Sequence, residues 1–256
     1  MNRDIVARLK TDPALANLHQ SLEVYYCDAP RDAAMDALYR RFIKAGDLAF
    51  DIGSHVGDRI GSFRRAGALV VALEPQPDCA RVIRAIYGED TGVTLLQSAC
   101  GPRPGRLTLH VNSANPTVTT ASSEFVRAAA GSAGWEGQSW DHVLDVPVTT
   151  LDALIAQYGS PAFVKIDVEG FEADVLHGLT RPLPALSFEF TTIQRDVAAA
   201  CLDRIEELGS YRYDVALRES QTLHFGRWLE PAEMRRFLLD VPHDANSGDV
   251  YAVRSG

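Results

Sequence analysis

The stretch LAFDIGSHVGD, residues 48–58, decides how the rest of the chain is read. Leu48, Ala49 and Phe50 form a short apolar run that reads as a strand, and Asp51 closes it. Gly53 and Gly57 then permit the tight turn and close backbone approach of a strand-to-helix junction over a ligand, with Ser54 and His55 inside the turn. The helix that follows offers free amides at its N-terminus to a carboxylate. ALVVALEP (68–75) repeats the pattern: an apolar run ends in Glu74, and Pro75 keeps the chain from continuing as sheet. An acidic residue roughly 20 positions beyond a glycine turn is where nucleotide-binding α/β folds accept hydrogen bonds from ribose hydroxyls.

A dinucleotide needs GxGxxG, so that its diphosphate can lie against the helix N-terminus. His55 stands where the second of those glycines belongs. An imidazole there obstructs a diphosphate but leaves room for a smaller aminocarboxylate tail, so an NAD(P)-dependent oxidoreductase is the lesser reading. A side chain at position 53 is expected to hinder the ligand more than the fold.

Further apolar runs follow at GVTLLQSA (92–99), AFVKIDVEG (162–170) and PALSFEF (184–190), each beside a helix-compatible segment. Such runs belong to a parallel sheet covered on both faces. Ser98 and Ala99 are expected to end the third strand. YRYDVAL (211–217) and DVYAVR (249–254) read as two more strands, and WLEPAEMRRFLLD (228–240) as a helix between them. Residues 1–45 read as a helical extension, with Met35, Leu38, Phe42 and Ile43 on one face, and residues 46–256 as the α/β domain. Residues 113–145, rich in Ser, Thr, Ala and Gly around Trp135 and Trp140, are expected to form a lid that selects the substrate, the indoles lending flat apolar contact.

Lys165, Asp167 and Glu169 fall on one side of a strand while Ile166 and Val168 pack. Three buried charges are costly without partners, so this strand end is expected to be a polar site at the sheet edge where ligands bind. Glu172 and His177 are expected on a solvated helix face.

The formal net charge of −9 excludes broad electrostatic capture of nucleic acid or an anionic membrane, leaving a small molecule as the expected partner. Cys27, Cys79, Cys100 and Cys201 lack metal-ligand spacing and read as free thiols. The charged N-terminus has no apolar leader core, so a cytoplasmic location is expected. Oligomeric state has no sequence signal.

Taken in order and approximate spacing, LAFDIGSHVGD, VVALEPQPDC, VPVTTLDALI and FVKIDVEGFEADVLHGL resemble the FkbM-type methyltransferases over roughly residues 46–190. The resemblance implies a Rossmann-like class I methyltransferase fold: a seven-stranded, mostly parallel sheet with its last strand antiparallel and helices on both faces. It implies S-adenosyl-L-methionine as cofactor and O-methylation of hydroxyls on sugars, polyketides or other secondary metabolites. Asp51, Gly53, Ser54, His55 and Gly57 would hold the methionine portion, Glu74 and Pro75 the ribose, and Ser98 and Ala99 the adenine. Methyl transfer to an alcohol also needs a proton acceptor, for which Asp167 and Glu169 are candidates beside Lys165, with Glu189 a third that the resemblance turns toward the acceptor. A divalent metal held by these carboxylates is the less favoured alternative. The chain departs from the family at Ser54-His55, where Ala-Asn is more usual, and a binding protein that keeps the fold without turnover is a rival.

Overall fold

The computed structural model describes residues 3–255. Three helices come first: α1 (Arg3–Leu9), α2 (His19–Tyr26) and α3 (Ala29–Tyr39). The central unit follows as β1 (Leu48–Ile52), α4 (Asp58–Arg65), β2 (Leu69–Leu73), α5 (Pro77–Tyr87) and β3 (Val93–Leu96). A second group of elements intervenes: β4 (Ala99–Cys100), β5 (Gly105–Val111), α6 (Ser123–Ala129) and β6 (His142–Thr149). The chain then returns through α7 (Leu151–Tyr158), β7 (Phe163–Ile166), α8 (Glu172–His177), β8 (Ala185–Thr191) and α9 (Arg195–Leu208). It ends with β9 (Tyr211–Leu217), α10 (Pro231–Asp240) and β10 (Ser247–Arg254).

The main sheet has seven strands in the order β3-β2-β1-β7-β8-β10-β9. β10 runs antiparallel to both its neighbours, whereas β3, β2, β1, β7 and β8 are mutually parallel. Alternation along each strand splits the core in two. Phe50, Ile52, Val71, Leu73, Val164 and Ile166 meet α7–α10 on one face. Ala49, Val70, Ala72 and Phe163 meet α3–α5 on the other. Phe163, Phe42 and Tyr251 form a three-ring cluster with centroids 5.0, 5.6 and 6.3 Å apart, the fully buried Phe163 and Tyr251 each contributing about 1.5–3 kcal/mol by burial. Chain order reverses between β1 and β7, and open α/β sheets bind ligands in the crevice at that point, beyond the carboxyl ends of the strands.

α1, α2 and the segment between them pack on α5 and the β1–α4 turn through Val6, Leu9, Leu15, Leu18 and Leu22 against Val56, Cys79 and Val82. The Tyr26 hydroxyl donates to the Val56 carbonyl (2.7 Å), so the N-terminal helices rest directly on the turn.

Two expectations need correction. β3 stops at Leu96, and Ala99 belongs to a separate three-stranded sheet ordered β4-β6-β5, with β5 and β6 an antiparallel pair. β6 also begins at His142, inside the segment 113–145 expected to be the lid, and α6 lies wholly within that segment. Pro147 within β6 and the exposed His142, Val143 and Asp145 hide the strand pattern.

Candidate active site

A single cleft, about 1020 Å³ counting its mouth open to solvent, lies over the β1–β7 junction. Of the residues singled out from sequence, Asp51, Gly53, Ser54, His55, Glu74, Pro75, Ser98, Ala99, Lys165, Asp167, Glu169 and Glu189 line it. Gly57 does not. It is the left-handed residue (φ 86°) before α4, and a Cβ there would meet Ile83 and Tyr87 at 3.1 Å, so its smallness serves helix packing.

Gly53 has a different reason from the one expected. At φ 84° its missing Cβ would stand 1.8 Å from the main-chain oxygen of Asp167, so the residue admits the end of β7 rather than a ligand. Most of the turn's amides are not free. Gly53 and Ser54 N–H both donate to the Leu73 carbonyl (3.0 Å each), His55 N–H to Glu74 Oε2 (2.8 Å) and Gly57 N–H to the Ser54 carbonyl (2.7 Å). A carboxylate bound beside this turn therefore relies mainly on side-chain donors.

Glu74 is 2% exposed. Its two oxygens accept the amides of His55 and Gln76 (2.8 and 2.7 Å), which ties the β1 turn to the β2 turn. Burial pushes its carboxyl up to about 8 despite these donors. Asp51, 1% exposed, is raised by burial to about 7, and its Oδ2 has no partner. His55 sits at φ 48°, its ring between Cys79 Sγ (3.6 Å from Nδ1) and Thr117 Oγ1 (3.3 Å from Nε2). Burial drops its pKa to about 4, so it is a neutral hydrogen-bonding wall at physiological pH. Ser98 directs its hydroxyl to the carbonyls of Ala99 (2.9 Å) and Pro147 (3.0 Å), joining the cleft to the small sheet.

Lys165, 1% exposed, donates to Asp167 Oδ2 (3.0 Å) and Asp249 Oδ1 (2.7 Å). Burial opposes its charge, but Asp167 and then Asp249 outweigh this and hold the ammonium's pKa well above the ordinary value. Burial alone would raise Asp167; Lys165, then Arg59, keep it below the usual carboxylate range. Glu169 and Glu189 are both pushed well above that range, first by burial and then by neighbouring acids. Glu169 does not reach this group by strand alternation, as its sequence suggested. β7 ends at Ile166, and Glu169 and Gly170 take left-handed conformations (φ 55° and 86°) that fold the chain back. Glu172 holds that turn: it is 2% exposed, not solvated, and its Oε1 accepts the amides of Val168 (3.0 Å) and Gly170 (3.2 Å).

Sequence reasoning missed the far wall. Tyr25, Asp58, Arg59 and Glu219 also line the cleft. Asp58 Oδ2 accepts from Arg31 (2.9 Å) and Arg59 (2.6 Å), both of which also pair with Glu219 (2.8 and 3.2 Å). These residues come from α2, α3, α4 and the loop after β9, and no local pattern links them. Trp135 and Trp140, expected at the substrate, are not in the cleft. They pack edge-on to Phe125 (5.1 and 6.1 Å), and Trp140 Nε1–H donates to the Val118 carbonyl (2.8 Å), a small core beneath the segment. What that segment presents to the cleft is Thr117 and Thr119, bonded to His55 and to Gln76 (2.9 Å).

The sheet order, the antiparallel β10 and a cleft spanning the β1, β2 and β7 ends define a Rossmann-like class I methyltransferase domain. The family model described as the methyltransferase FkbM domain matches residues 51–242, and the chain belongs to that family. It is an S-adenosylmethionine-dependent methyltransferase. Solved structures similar to it include the precorrin-6y C5,15-methyltransferase of Geobacter metallireducens (13% identity over 88% of this chain and 87% of that one, TM-score 0.44). The C-terminal domain of the Rhodobacter capsulatus precorrin-6Y C5,15-methyltransferase (14%, 88% and 89%, 0.42) is another. A third is an S-adenosylmethionine-dependent O-methyltransferase of Thermotoga maritima (13%, 89% and 66%, 0.41). No curated protein matches. Among the described residues no helix is long and apolar enough to cross a membrane.

Proposed function

We propose that the protein moves a methyl group from S-adenosylmethionine to a hydroxyl oxygen of a small, polar acceptor. The observation that carries this reading is one cleft lined by two chemically distinct sets of acids on adjacent strands. Asp51 and Glu74 are buried with their carboxyls raised toward neutrality, whereas Asp167 beside them is braced by Lys165 and held ionised.

The first set suits the cofactor. The buried, partnerless Oδ2 of Asp51 calls for a donor, which a methionine ammonium supplies. Each Glu74 oxygen, already holding one amide, keeps a lone pair for a ribose hydroxyl. With four turn amides committed, the Arg59 guanidinium, 7% exposed and lining the cleft, is the side-chain donor available to the methionine carboxylate. When bound, the cofactor supplies an electrophilic methyl group on a sulfonium whose sulfur keeps the electron pair of the broken bond.

Asp167 is the acid of its group held ionised, so it is the one able to receive the acceptor's proton as the new C–O bond forms. Lys165 fixes its position. Tyr25, Asp58 and Glu219, which also line the cleft, offer both donors and acceptors, as a polyhydroxylated acceptor requires. Excess acid here disfavours an anionic one.

The experiment is calorimetry with S-adenosylhomocysteine, with NADH as control, followed by a screen of sugars, polyols and catechols for mass gain of one methyl. Asp167→Asn should lower the rate about 100- to 10,000-fold with the S-adenosylhomocysteine affinity unchanged. Binding of NADH instead, or full activity in the variant, refutes the reading.

A further inference from the structure

One carboxylate oxygen from each of Asp167, Glu169 and Glu189 lies within 4.8 Å of the other two. Acids this close are common on protein surfaces; here Asp167 has Lys165, but Glu169 and Glu189 Oε2 lack the donors that surface acids find in water. Lys165 is committed to Asp167 and Asp249. Glu169 is 8% exposed and faces the cleft. Among the described residues no hydrogen-bond donor and no salt-bridging cation meets its carboxylate, and the residue accepts a hydrogen bond only at its main-chain carbonyl, from Thr120 Oγ1 (2.6 Å). Glu189 Oε2 is buried and equally without a partner. A buried carboxylate oxygen with no donor is costly unless a ligand supplies one.

The backbone makes the arrangement deliberate. A left-handed glutamate costs about 1–3 kcal/mol, yet Glu169 is held there by the Glu172 carboxylate bridging the amides on either side. Gly170 completes the turn where a Cβ would collide with Gln194 Oε1 (2.2 Å) and Phe125 (2.7 Å). The held turn, rather than a continuation of β7, is what sets Glu169 beside Asp167.

We propose that Asp167, Glu169 and Glu189 bind one divalent cation, magnesium or a similar oxygen-seeking metal, which seats the acceptor hydroxyl. This rests on the methyltransferase reading and deepens it. For three atoms no more than 4.8 Å apart there is always a point within about 2.8 Å of all three, close to the ~2.3–2.6 Å of calcium–oxygen bonds and within a small side-chain adjustment of the ~2.0–2.1 Å of magnesium. An all-oxygen donor set selects hard cations. Three protein ligands leave coordination positions for water and for one or two acceptor oxygens, which favours a vicinal diol or catechol over an isolated alcohol. A metal-bound hydroxyl is also more acidic, which eases the proton transfer asked of the neighbouring carboxylates.

The test is titration of Mn²⁺, read by electron paramagnetic resonance, into chelator-treated full-length protein with and without S-adenosylhomocysteine. One Mn²⁺ per chain is expected, displaced by Mg²⁺ and retained when S-adenosylhomocysteine binds. Glu169→Gln and Glu189→Gln should each weaken Mn²⁺ about ten-fold or more, since even groups that only orient metal ligands are worth about 10- to 100-fold. S-adenosylhomocysteine affinity should stay within about two-fold, which also reports that the variants fold. S-adenosylhomocysteine binding without Mn²⁺ uptake overturns the cation and spares the transferase reading. Uptake undiminished in the double variant overturns the assigned ligands. Expulsion of Mn²⁺ by S-adenosylhomocysteine overturns the proposal too, because the acids then seat the cofactor's ammonium. Loss of S-adenosylhomocysteine binding by the wild type sinks the transferase reading and the diol-seating role with it, while the cofactor-free titration still decides whether the cation site exists.

Discussion

Glu74→Gln isolates the ribose contact, and its effect should depend on pH in a way that a structural role would not. Burial raises this carboxyl from 4.5 to about 8 in the free protein, so at neutral pH it is mostly protonated. Ribose hydroxyls donate best to the ionised form. Cofactor affinity should therefore rise as pH climbs toward 8 and level off above it, since below that value each pH unit costs about 1.4 kcal/mol to ionise the group. A hydrogen bond to an ionised acceptor is worth about 1.5–3 kcal/mol. Above pH 8 the variant should thus bind S-adenosylhomocysteine about 30-fold more weakly, a gap of about 2 kcal/mol. The gap should close as the solution is brought to about pH 6.5, where ionising the wild-type carboxyl costs as much as the contact returns. The free protein shows the opposite trend. A folded-state pKa above the unfolded one means stability contributed at low pH is lost as pH rises from 4.5 through about 8, and cofactor binding restores it. Calorimetry in buffers from pH 6 to 9 measures the first effect, and thermal unfolding the second. Parallel pH curves for wild type and variant would remove Glu74 from the ribose site and leave it as the brace between the His55 and Gln76 amides.

Three further outcomes follow from the packing. Gly53→Ala should lower stability by about 3 kcal/mol or more, because its Cβ meets the Asp167 carbonyl in a left-handed backbone; an unchanged melting temperature would show that the two turns separate freely. Lys165→Met should cost about 3–5 kcal/mol in urea unfolding at neutral pH by stranding Asp167 and Asp249, and a neutral effect would mean that water solvates both acids. Trp135→Ala removes a ring that is 8% exposed and set at 90° to Phe125, for about 3–5 kcal/mol of local stability. Cofactor affinity should suffer with it, since Thr117 and Thr119 of that segment bond to His55 and Gln76, whereas a change in acceptor KM alone would return the segment to substrate selection.

How much was legible follows from where each residue's partners lie. β1, β2, β7 and β8 are buried on both faces, so their sequences are mostly apolar and the few charges within or just after them stand out. Asp51, Glu74, Lys165 and Asp167 were readable for that reason. β6 was not, because Pro147 inside it argues against a strand and the exposed Val143 blurs the alternation that a strand with one face in water otherwise shows. Asp249 is 84 residues from Lys165 and meets it only because β10 inserts antiparallel between β8 and β9. One signal pointed to it: a lysine in a doubly buried strand needs a carboxylate from a neighbouring strand, and Asp249 opens an otherwise apolar one. Tyr25, Arg31 and Glu219 had no such signal, since helix packing alone brings them together.

The collision awaiting any side chain at position 53 also explains how the two sets of acids in the cleft are kept in register. In-line methyl transfer tolerates little misplacement between donor and acceptor; an error near 1 Å costs about 100-fold. Gly53 belongs to the turn that carries the cofactor residues, and its bare Cα face rests against the main-chain oxygen of Asp167, while the Asp167 amide donates to the Ile52 carbonyl (2.9 Å). Asp167 therefore fixes the turn with its backbone and turns to the cleft, where the proposed acceptor would sit, the side chain that Lys165 holds in place. The distance between the cofactor turn and the acid is then set by contacts within and beside one residue rather than by loops that drift independently. Glycine at 53 and lysine at 165 are two parts of that one spacing, the first letting β7 approach the turn and the second fixing where its terminal carboxylate points.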